Sequence, residues 1–154
     1  MGYDKAELVG EAAMAMRDFI AYAVLFQDRL ARTAGLNATD LQALGVLVSE
    51  GPASPGQLAD RTGITRGGAI TQLIDRLESA GFARRSRDTG DRRRVVVTAD
   101  LEAVTKRLAP LYEPVTERWT GYLDGLSADQ LHVCVDLLVA AVQINQDLIR
   151  ELGG

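Results

Sequence analysis

The 154-residue chain has one cysteine, one histidine and only 5% aromatic residues, and these shortages exclude several classes of function. Cys134 alone cannot form an intrachain disulfide, which fits a reducing cytoplasm. His132 has only Asp129 and Asp136 as nearby carboxylates, and one histidine with one carboxylate on a helix face makes a poor metal site. We therefore expect no metal ion and no cofactor. An enzyme is disfavoured because no nucleophile–base pair and no phosphate loop is found.

Long hydrophobic runs are also missing from the sequence. The N-terminal stretch mixes acidic and apolar residues, and it lacks the basic start and unbroken apolar segment of a secretory signal. The most apolar run, VCVDLLVAAV, is interrupted by Asp136 and falls short of the roughly 18 residues of a transmembrane helix. We expect no membrane association and a cytoplasmic location. With 47% hydrophobic residues, the chain can form one globular domain with helical extensions.

Positive charge is scarce overall but locally concentrated. The chain has 17 Lys and Arg against 21 Asp and Glu, a net charge of −4. Residues 54–98 hold nine arginines and five acidic residues, a net charge of +4, so the rest of the chain carries −8. The stretch RRSRDTGDRRR alone contains six arginines. A solvated loop, a basic linker and a surface that binds a polyanion all fit this composition.

Apolar residues repeat at three- and four-residue steps near both ends of the chain, which predicts long helices there. The first helix is expected from about Asp4 to Thr33. A second long helix, from Asp100 to about Tyr122, should be kinked by Pro110 and Pro114. A final helix should end near Leu152. A small domain cannot bury helices of this length by itself, so they suggest a dimer surface.

The middle of the chain predicts a helix-turn-helix followed by a hairpin. Thr39, Ser54 and Thr65 are the expected N-caps of three helices, and Pro55 occupies a first helical position. The last two helices are joined by a short turn that contains Gly63, the pattern of a helix-turn-helix. The segments FARRSR and RRVVVT then alternate in polarity around the turn DTGD, so they predict a two-stranded wing.

The helix that follows Thr65 has a small polar face at its N-terminal end, as a helix that enters the major groove of DNA requires. Its glycines let the backbone approach a ligand closely, although glycines in a first helical turn also occur without any function. Gln72 can pair with an adenine edge, and Thr71 can contact a base or a thymine methyl group. The candidate DNA-contacting residues of this helix are Thr65, Arg66, Gly67, Gly68, Thr71, Gln72 and Arg76.

The sequence SPGQLADRTGITRGGAITQLIDRLESAGFARR, followed by DTGDRRR, resembles the MarR family of winged helix-turn-helix regulators. The similarity covers about residues 36–100. It implies a mainly α-helical fold with a small two-stranded β-wing. In this scheme residues 37–99 form the DNA-binding lobe, and residues 1–36 and 100–154 form long dimerisation helices.

The resemblance also implies roles for the wing. The family signature of an Asp, any residue and an Arg corresponds to Asp91, Arg92 and Arg93. Arg93 is then expected in the minor groove of double-stranded DNA, while Asp91 buttresses the wing by ion pairing. Arg92 and Arg94 are expected to contact the groove or phosphates. Additional candidates for phosphate contacts are Ser54, Arg84, Arg85 and Arg87, although the three arginines also fit a solvated strand.

Many members of this family bind a small aromatic or phenolic effector between the dimer helices and the DNA-binding lobe. The residues that could line such a pocket here are Phe19, Tyr22, Phe26, Tyr112 and Trp119. Aromatic residues at helical spacing also fit core or dimer contacts. Cys134 lies in the last helix, away from the N-terminal position at which some members sense oxidants, so we expect an inert thiol.

Taken together, these patterns predict a homodimeric, sequence-specific transcription regulator. It is expected to repress nearby genes from a pseudo-palindromic operator, with release by a small aromatic ligand. An architectural DNA-binding protein without an effector is the alternative.

Overall fold

The computed structural model describes residues 4–88, 90–91 and 93–152, and this part of the chain contains seven α-helices and two β-strands. In chain order they are α1 (Lys5–Thr33), α2 (Ala38–Glu50), α3 (Pro55–Thr62), α4 (Gly68–Ser79), β1 (Ala83–Arg87), β2 (Val95–Ala99), α5 (Leu101–Arg107), α6 (Ala109–Asp124) and α7 (Ala128–Leu152). The predicted mainly helical fold with a two-stranded wing is confirmed.

The chain divides into two compact units, Met1–Leu111 and Tyr112–Gly154. The first unit contains α1 to α5 and the hairpin, and the second contains most of α6 and all of α7. The division by role, with a DNA-binding lobe at residues 37–99 between dimerisation helices, stays a prediction.

The core of the first unit forms around one face of α4. Ile70, Leu73, Ile74 and Leu77 are 3% exposed or less, because their three- and four-residue spacing places them on the same side of the helix. They share the core with the buried side chains of Leu44, Leu47, Leu58, Phe82 and Val97. Burial of each large side chain contributes about 1.5–3 kcal/mol, so this face fixes which side of α4 remains outside.

The predicted helix starts were partly right. Ser54 caps α3 in a reciprocal capping box with Gln57, and Pro55 is the first helical residue, as predicted. The N-cap predicted at Thr39 is wrong. Asn37 caps α2 instead, because its side chain accepts the backbone N–H of Asp40 while the Asp40 carboxylate accepts that of Asn37.

The N-cap predicted at Thr65 is also wrong. Helix α4 begins at Gly68, and its N-cap is Gly67, which has a φ of 107° and makes no side-chain cap. This backbone conformation is rarely adopted by residues with a Cβ atom, so glycine is required at position 67. The start of α4 is therefore set by backbone geometry rather than by a capping hydroxyl.

The wing strands pair antiparallel, with Ala83 opposite Ala99 and Arg87 opposite Val95. Sequence analysis did not predict a third segment in this sheet. Ala53 exchanges two backbone hydrogen bonds with Val97, at 3.1 and 2.8 Å, and so fastens the start of α3 to the wing. Thr89, predicted as part of the wing turn, and Arg92 lie outside the described residues.

The single kinked helix predicted from Asp100 to about Tyr122 is instead two helices. Asp100 does cap the first of them, since its side chain accepts the backbone N–H of Ala103. The break falls at Leu108, just before Pro110, which has no N–H to donate to a preceding turn. Pro114 lies inside α6.

Helices α1 and α7 expose many large apolar side chains. On α7 the exposed residues include Val133, Val135, Leu138, Val139, Val142, Ile144 and Ile149, each more than half exposed. By length and composition alone, α7 is also the one described helix that is apolar enough to span a membrane. These residues cover a wide arc of the helix, whereas His132, Asp136, Gln143 and Asp147 lie together on the remaining side.

Candidate nucleic-acid interface

The turn between α3 and α4 presents the predicted polar face to solvent. Gly63 ends α3 in the left-handed conformation, with a φ of 68°, and the backbone N–H of Ile64 returns to the carbonyl of Ala59 at 3.1 Å. Thr71 and Gln72 on α4 are exposed. Thr65, Arg66, Gly67 and Gly68 are likewise exposed at the N-terminal end of the helix. All six candidates therefore lie on one accessible end of the helix-turn-helix.

Gly68 has no structural requirement within the chain. Its φ is not positive, and a Cβ atom built on it meets no other atom within 4 Å. Glycine in a helix costs up to about 1 kcal/mol relative to alanine. Close approach of an external molecule therefore remains an explanation for this residue that the fold itself does not supply.

The wing tip is organised by Asp88, a residue that sequence analysis did not single out. Its Oδ1 atom accepts the backbone N–H groups of Gly90 at 2.7 Å and Asp91 at 3.1 Å. These two hydrogen bonds, helped by the nearby charge of Arg94, hold the pKa of the Asp88 carboxyl below its usual value. An Asp two residues before a Gly is a known turn pattern, and it is the signal that identifies Asp88.

Asp91 also stabilises the wing tip, but through the backbone. Its Oδ1 atom accepts the N–H of Arg93 at 3.0 Å, and its carbonyl accepts the N–H of Arg94 at 2.9 Å. Among the described residues Asp91 forms no ion pair, so its predicted buttressing of the wing by ion pairing stays a prediction. Asp91 thus orients the chain that carries Arg93.

Two predicted phosphate contacts meet beside the wing. Ser54 and Arg94 line one depression of about 280 Å³, together with Gln57 and Asp88. Because Ser54 is the N-cap of α3, the depression lies at a positive helix terminus. This geometry brings a cation and a helix N-terminus to one place, which favours a phosphate group, although the Asp88 carboxylate in the same depression would repel it.

Arg66 forms an ion pair with Asp60 of α3. Its Nε and Nη2 atoms donate to the two carboxylate oxygens at 3.0 and 2.5 Å. This mutual hydrogen bonding raises the pKa of Arg66 and lowers that of Asp60. Both side chains are more than half exposed, so the pair is screened by water and adds little to stability.

Arg76, predicted to contact DNA, forms an ion pair with Asp40, and its contact with DNA stays a prediction. Its guanidinium donates to both carboxylate oxygens of Asp40, at distances of 2.7 to 3.1 Å. Asp40 is 1% exposed, whereas the Arg76 side chain is 46% exposed. The hydrogen bonds to Asp40 raise the pKa of Arg76. Arg76 therefore ties α4 to the start of α2.

Arg85, predicted as a phosphate contact, also turns toward α4. Its guanidinium pairs with Asp75 and Glu78 and donates to the carbonyl of Thr71. Partial burial lowers the pKa of Arg85, but the hydrogen bonds that its guanidinium donates to the two carboxylates outweigh this effect and raise the pKa. Arg84, one residue earlier on β1, is exposed.

Much of the positive charge of the lobe is therefore neutralised by ion pairs, which the sequence alone does not reveal. Arg61 pairs with Glu50 at 3.2 Å, and Arg66, Arg76 and Arg85 are paired as described above. Arg84 and Arg93 form no ion pair with a described residue. The uncommitted positive charge thus lies in the wing rather than on α4. Sequence counting missed this, because it could not identify Asp40, Asp60 and Glu78 as arginine partners.

The aromatic candidates for an effector pocket lie in separate units. Phe19 and Tyr22 on α1 are 48% and 72% exposed, and Phe26 on the same helix is at 36%. In the second unit, Tyr112 is partly buried and Trp119 contacts Tyr122 edge to face, with ring centroids 6.2 Å apart. The predicted pocket stays a prediction.

Cys134 is partly buried in α7 and lines a shallow depression of about 430 Å³ with Tyr122 and Val133. Among the described residues, no group of three His, Cys, Asp or Glu side chains is arranged to hold a metal ion. These features assign no chemistry to the second unit.

The chain is similar to known regulators over almost its whole length. A model of the MarR family matches residues 34–94. A Bacillus subtilis protein named as the uncharacterized HTH-type transcriptional regulator YcgE is 32% identical over 148 residues, which cover 96% of this chain and 95% of that protein. The residues matched by the family model include the helix-turn-helix and most of the wing.

Solved structures show the same fold. A MarR family protein from Bacillus stearothermophilus matches with a TM-score of 0.71 at 20% identity, over 94% of this chain and 99% of that one. The overoxidized form of AbfR bound to DNA matches with a TM-score of 0.52 at 15% identity, over 91% and 96% of the two chains. At these identities, the structural matches establish the shared fold alone.

Proposed function

This chain belongs to the MarR family of transcription regulators, which are not enzymes, and we propose from this premise that it is a homodimeric, sequence-specific DNA-binding repressor. The observation that carries the proposal is the placement of two surfaces on one lobe. The open polar end of α4 and the uncommitted arginines of the wing both belong to the first compact unit.

Helix α4 is proposed to read base edges in the major groove. Gln72 and Thr71 supply the side chains, and Gly68 leaves room for the backbone to approach. Arg66 is held by an exposed ion pair, which water already weakens, so it can exchange Asp60 for a phosphate at small cost.

The wing is proposed to contact the minor groove through Arg93, with Arg84 and Arg94 on neighbouring phosphates. Arg94 shares its depression with the N-cap Ser54, a combination that suits one phosphate group. The protein AbfR, which has the same fold, is known in a DNA-bound form. This supports double-stranded DNA as the partner of the present chain. A cytoplasmic location is part of the same proposal.

The helices at the two ends are proposed to form a homodimer. A wide apolar face of a helix is normally buried against another element, yet many large apolar side chains of α7 are more than half exposed. A second copy of the chain would cover these side chains, as it would those of α1. A dimer also matches a pseudo-palindromic operator with half-sites about one helical turn apart.

Release by a small aromatic ligand is the remaining part of the proposal. Phe19, Tyr22, Phe26, Tyr112 and Trp119 are the residues proposed to contact it. Such a ligand would act by binding more tightly to a dimer geometry that does not fit the operator spacing.

A gel-shift experiment against the DNA upstream of the protein's own gene tests the DNA-binding proposal. A retarded band that persists in excess random DNA is expected, and its loss on addition of a candidate phenolic compound would identify an effector. Equal affinity for upstream and random DNA would contradict sequence-specific regulation. It would favour the architectural alternative.

Light scattering of the purified protein after size exclusion tests the dimer. The mass is expected to be twice 16.6 kDa, and Val142→Glu on α7 should reduce it to that of one chain. Val48→Glu, the same change at an exposed position of α2, is the matched control and should leave the mass unchanged. A monomeric wild type, or wild type that sediments with lipid vesicles, would contradict the proposal.

A further inference from the structure

The Arg85 side chain spans two turns of α4 from the neighbouring strand. Its Nη2 atom donates to the carbonyl of Thr71 at 3.1 Å, and its Nη1 atom pairs with Asp75 at 2.6 Å and with Glu78. These three residues follow one another at four- and three-residue steps, so they form one stripe of the helix. One guanidinium group therefore contacts α4 at three positions, from Thr71 to Glu78.

The backbone of Arg85 makes a second link to the same helix. Its N–H donates to Oε1 of Glu78 at 2.6 Å, while its strand partner Val97 exchanges backbone hydrogen bonds with Ala53. The outer edge of β1 is thus satisfied at this residue by a side chain of α4. Glu78 accepts hydrogen bonds from both the backbone and the guanidinium of Arg85.

The burial of these groups separates Arg85 from the other wing arginines. Its side chain is 27% exposed and that of Glu78 is 32% exposed. A phosphate contact would have to draw the guanidinium away from two carboxylates and a carbonyl. It would also leave two negative charges on the helix that faces the DNA, where a polyanion repels them.

We infer that Arg85 is a positioning residue, which sets the wing strand β1 against the recognition helix α4 so that both reach their grooves together. The inference rests on the proposed DNA-binding function. The bond to the Thr71 carbonyl links this clamp directly to the segment that carries Gln72. Sequence preference therefore depends on Arg85, although Arg85 touches no base.

Replacement of Glu78 distinguishes this role from a phosphate contact, because the two roles predict opposite effects. Glu78→Ala removes one of the two carboxylates paired with the Arg85 guanidinium, the acceptor of the Arg85 backbone N–H and one negative charge, while Asp75 and the Thr71 carbonyl remain as partners. Alanine preserves the helix. If Arg85 positions the wing, operator affinity should fall about tenfold, while affinity for random DNA stays the same or rises. If Arg85 contacts phosphate, affinity for both DNAs should rise.

The experiment compares Glu78→Ala, Arg85→Gln and the double variant by fluorescence anisotropy at several salt concentrations. The loss of operator affinity in the double variant is expected to be smaller than the sum of the two single losses, because Glu78 and the Arg85 guanidinium are partners in one ion pair. Arg85→Gln should leave the salt dependence of random-DNA binding unchanged. A decrease in its slope by about 0.9 would instead indicate a lost phosphate contact and overturn the inference.

The control is Glu102→Ala, which removes an exposed carboxylate from the first turn of α5. Its ratio of operator to random-DNA affinity should match that of wild type. Titration at high protein concentration gives the active fraction of each variant. A lower active fraction with an unchanged affinity ratio would show that Arg85 serves stability only, and would overturn the inference.

Amide hydrogen exchange without DNA keeps the two proposals separable. Glu78→Ala should speed exchange at the Arg85 amide and along β1, with exchange in α2 unchanged. If the wild-type protein shows no sequence preference, the proposed function fails. The exchange rates still test whether Glu78 and Arg85 hold β1 against α4. Unchanged exchange at Arg85 would refute the inference.

Discussion

Arg76 and Asp40 form a forked ion pair that joins α4 to the start of α2. Nε and Nη2 of Arg76 lie 2.9 and 2.7 Å from the nearest carboxylate oxygens, and Asp40 is almost fully buried. The same carboxylate completes the capping box with Asn37. A buried carboxylate is tolerated here because backbone and side-chain donors satisfy it. Asp40 thus stabilises the N-terminal end of α2 and also binds Arg76 of α4.

Asp40→Ala should therefore destabilise the protein. The substitution removes charge-assisted hydrogen bonds and half of the capping box, and we expect the free energy of unfolding to fall by about 2–3 kcal/mol. Urea denaturation followed by circular dichroism measures it. Asp28→Ala removes the exposed partner of Arg32 and should cost less than about 1 kcal/mol. Equal losses for the two variants would show that burial of the pair is unimportant.

Arg93→Ala should weaken DNA binding. Arg93 is exposed at the wing tip and forms no ion pair with a described residue, so its charge is available to the minor groove. The expected loss of binding free energy exceeds the roughly 0.5 kcal/mol effect of an average surface substitution. Anisotropy at physiological salt measures it, with Arg32→Ala at the end of α1 as the control. An affinity equal to that of wild type would refute the assignment of the wing.

Gln72→Ala should reduce sequence preference more than overall affinity. Gln72 is exposed on α4 and is proposed to bond a base edge, whereas random DNA is held mainly through phosphates. Affinities for the operator and for a random duplex of equal length give the preference ratio. A parallel loss on both duplexes would argue against base readout by this residue.

Gly68→Ala should stabilise the free protein and weaken its DNA complex. The added methyl group meets no atom of the chain within 4 Å, so the helix gains up to about 1 kcal/mol, while a nearby DNA backbone would be obstructed. Thermal unfolding and anisotropy measure the two effects. Gly45→Ala, in the exposed face of α2, should stabilise without affecting DNA binding. Undiminished affinity of Gly68→Ala would leave this glycine without a functional explanation.

The order of the wing tip should depend on ionised Asp88. Hydrogen bonds from Gly90 and Asp91 lower the pKa of its carboxyl in the folded protein below the ordinary value of 3.8. The stabilising contribution is therefore present above that value and is lost as pH falls through the lower, folded pKa. Amide chemical shifts of Gly90 and Asp91 should stay constant from pH 7 to 5 and then change with a midpoint below 3.8. A midpoint above that value would contradict this account.

Several elements of the candidate site were predictable from the sequence because their signals are local. Ser54 and Gln57 are three residues apart, so their capping box was readable directly, as were the left-handed turn at Gly63 and the apolar stripe of α4. The caps predicted at Thr39 and Thr65 were wrong. Asn37 caps α2 because it forms a capping box with Asp40, and Gly67 begins α4 because its positive φ suits glycine.

By itself the sequence determined the order of the elements, the buried side of α4 and the location of the basic wing, because hydrophobic period and turn chemistry act over a few residues. Only the tertiary structure decided which arginines are committed to carboxylates. Arg76 and Asp40 are 36 positions apart, and Arg85 meets Glu78 only because β1 packs beside α4. Ion pairs depend on distances of a few ångströms between separate elements. Two arginines of the same wing can therefore differ in role: Arg93 is exposed and is proposed to contact DNA, whereas Arg85 is paired with carboxylates of α4.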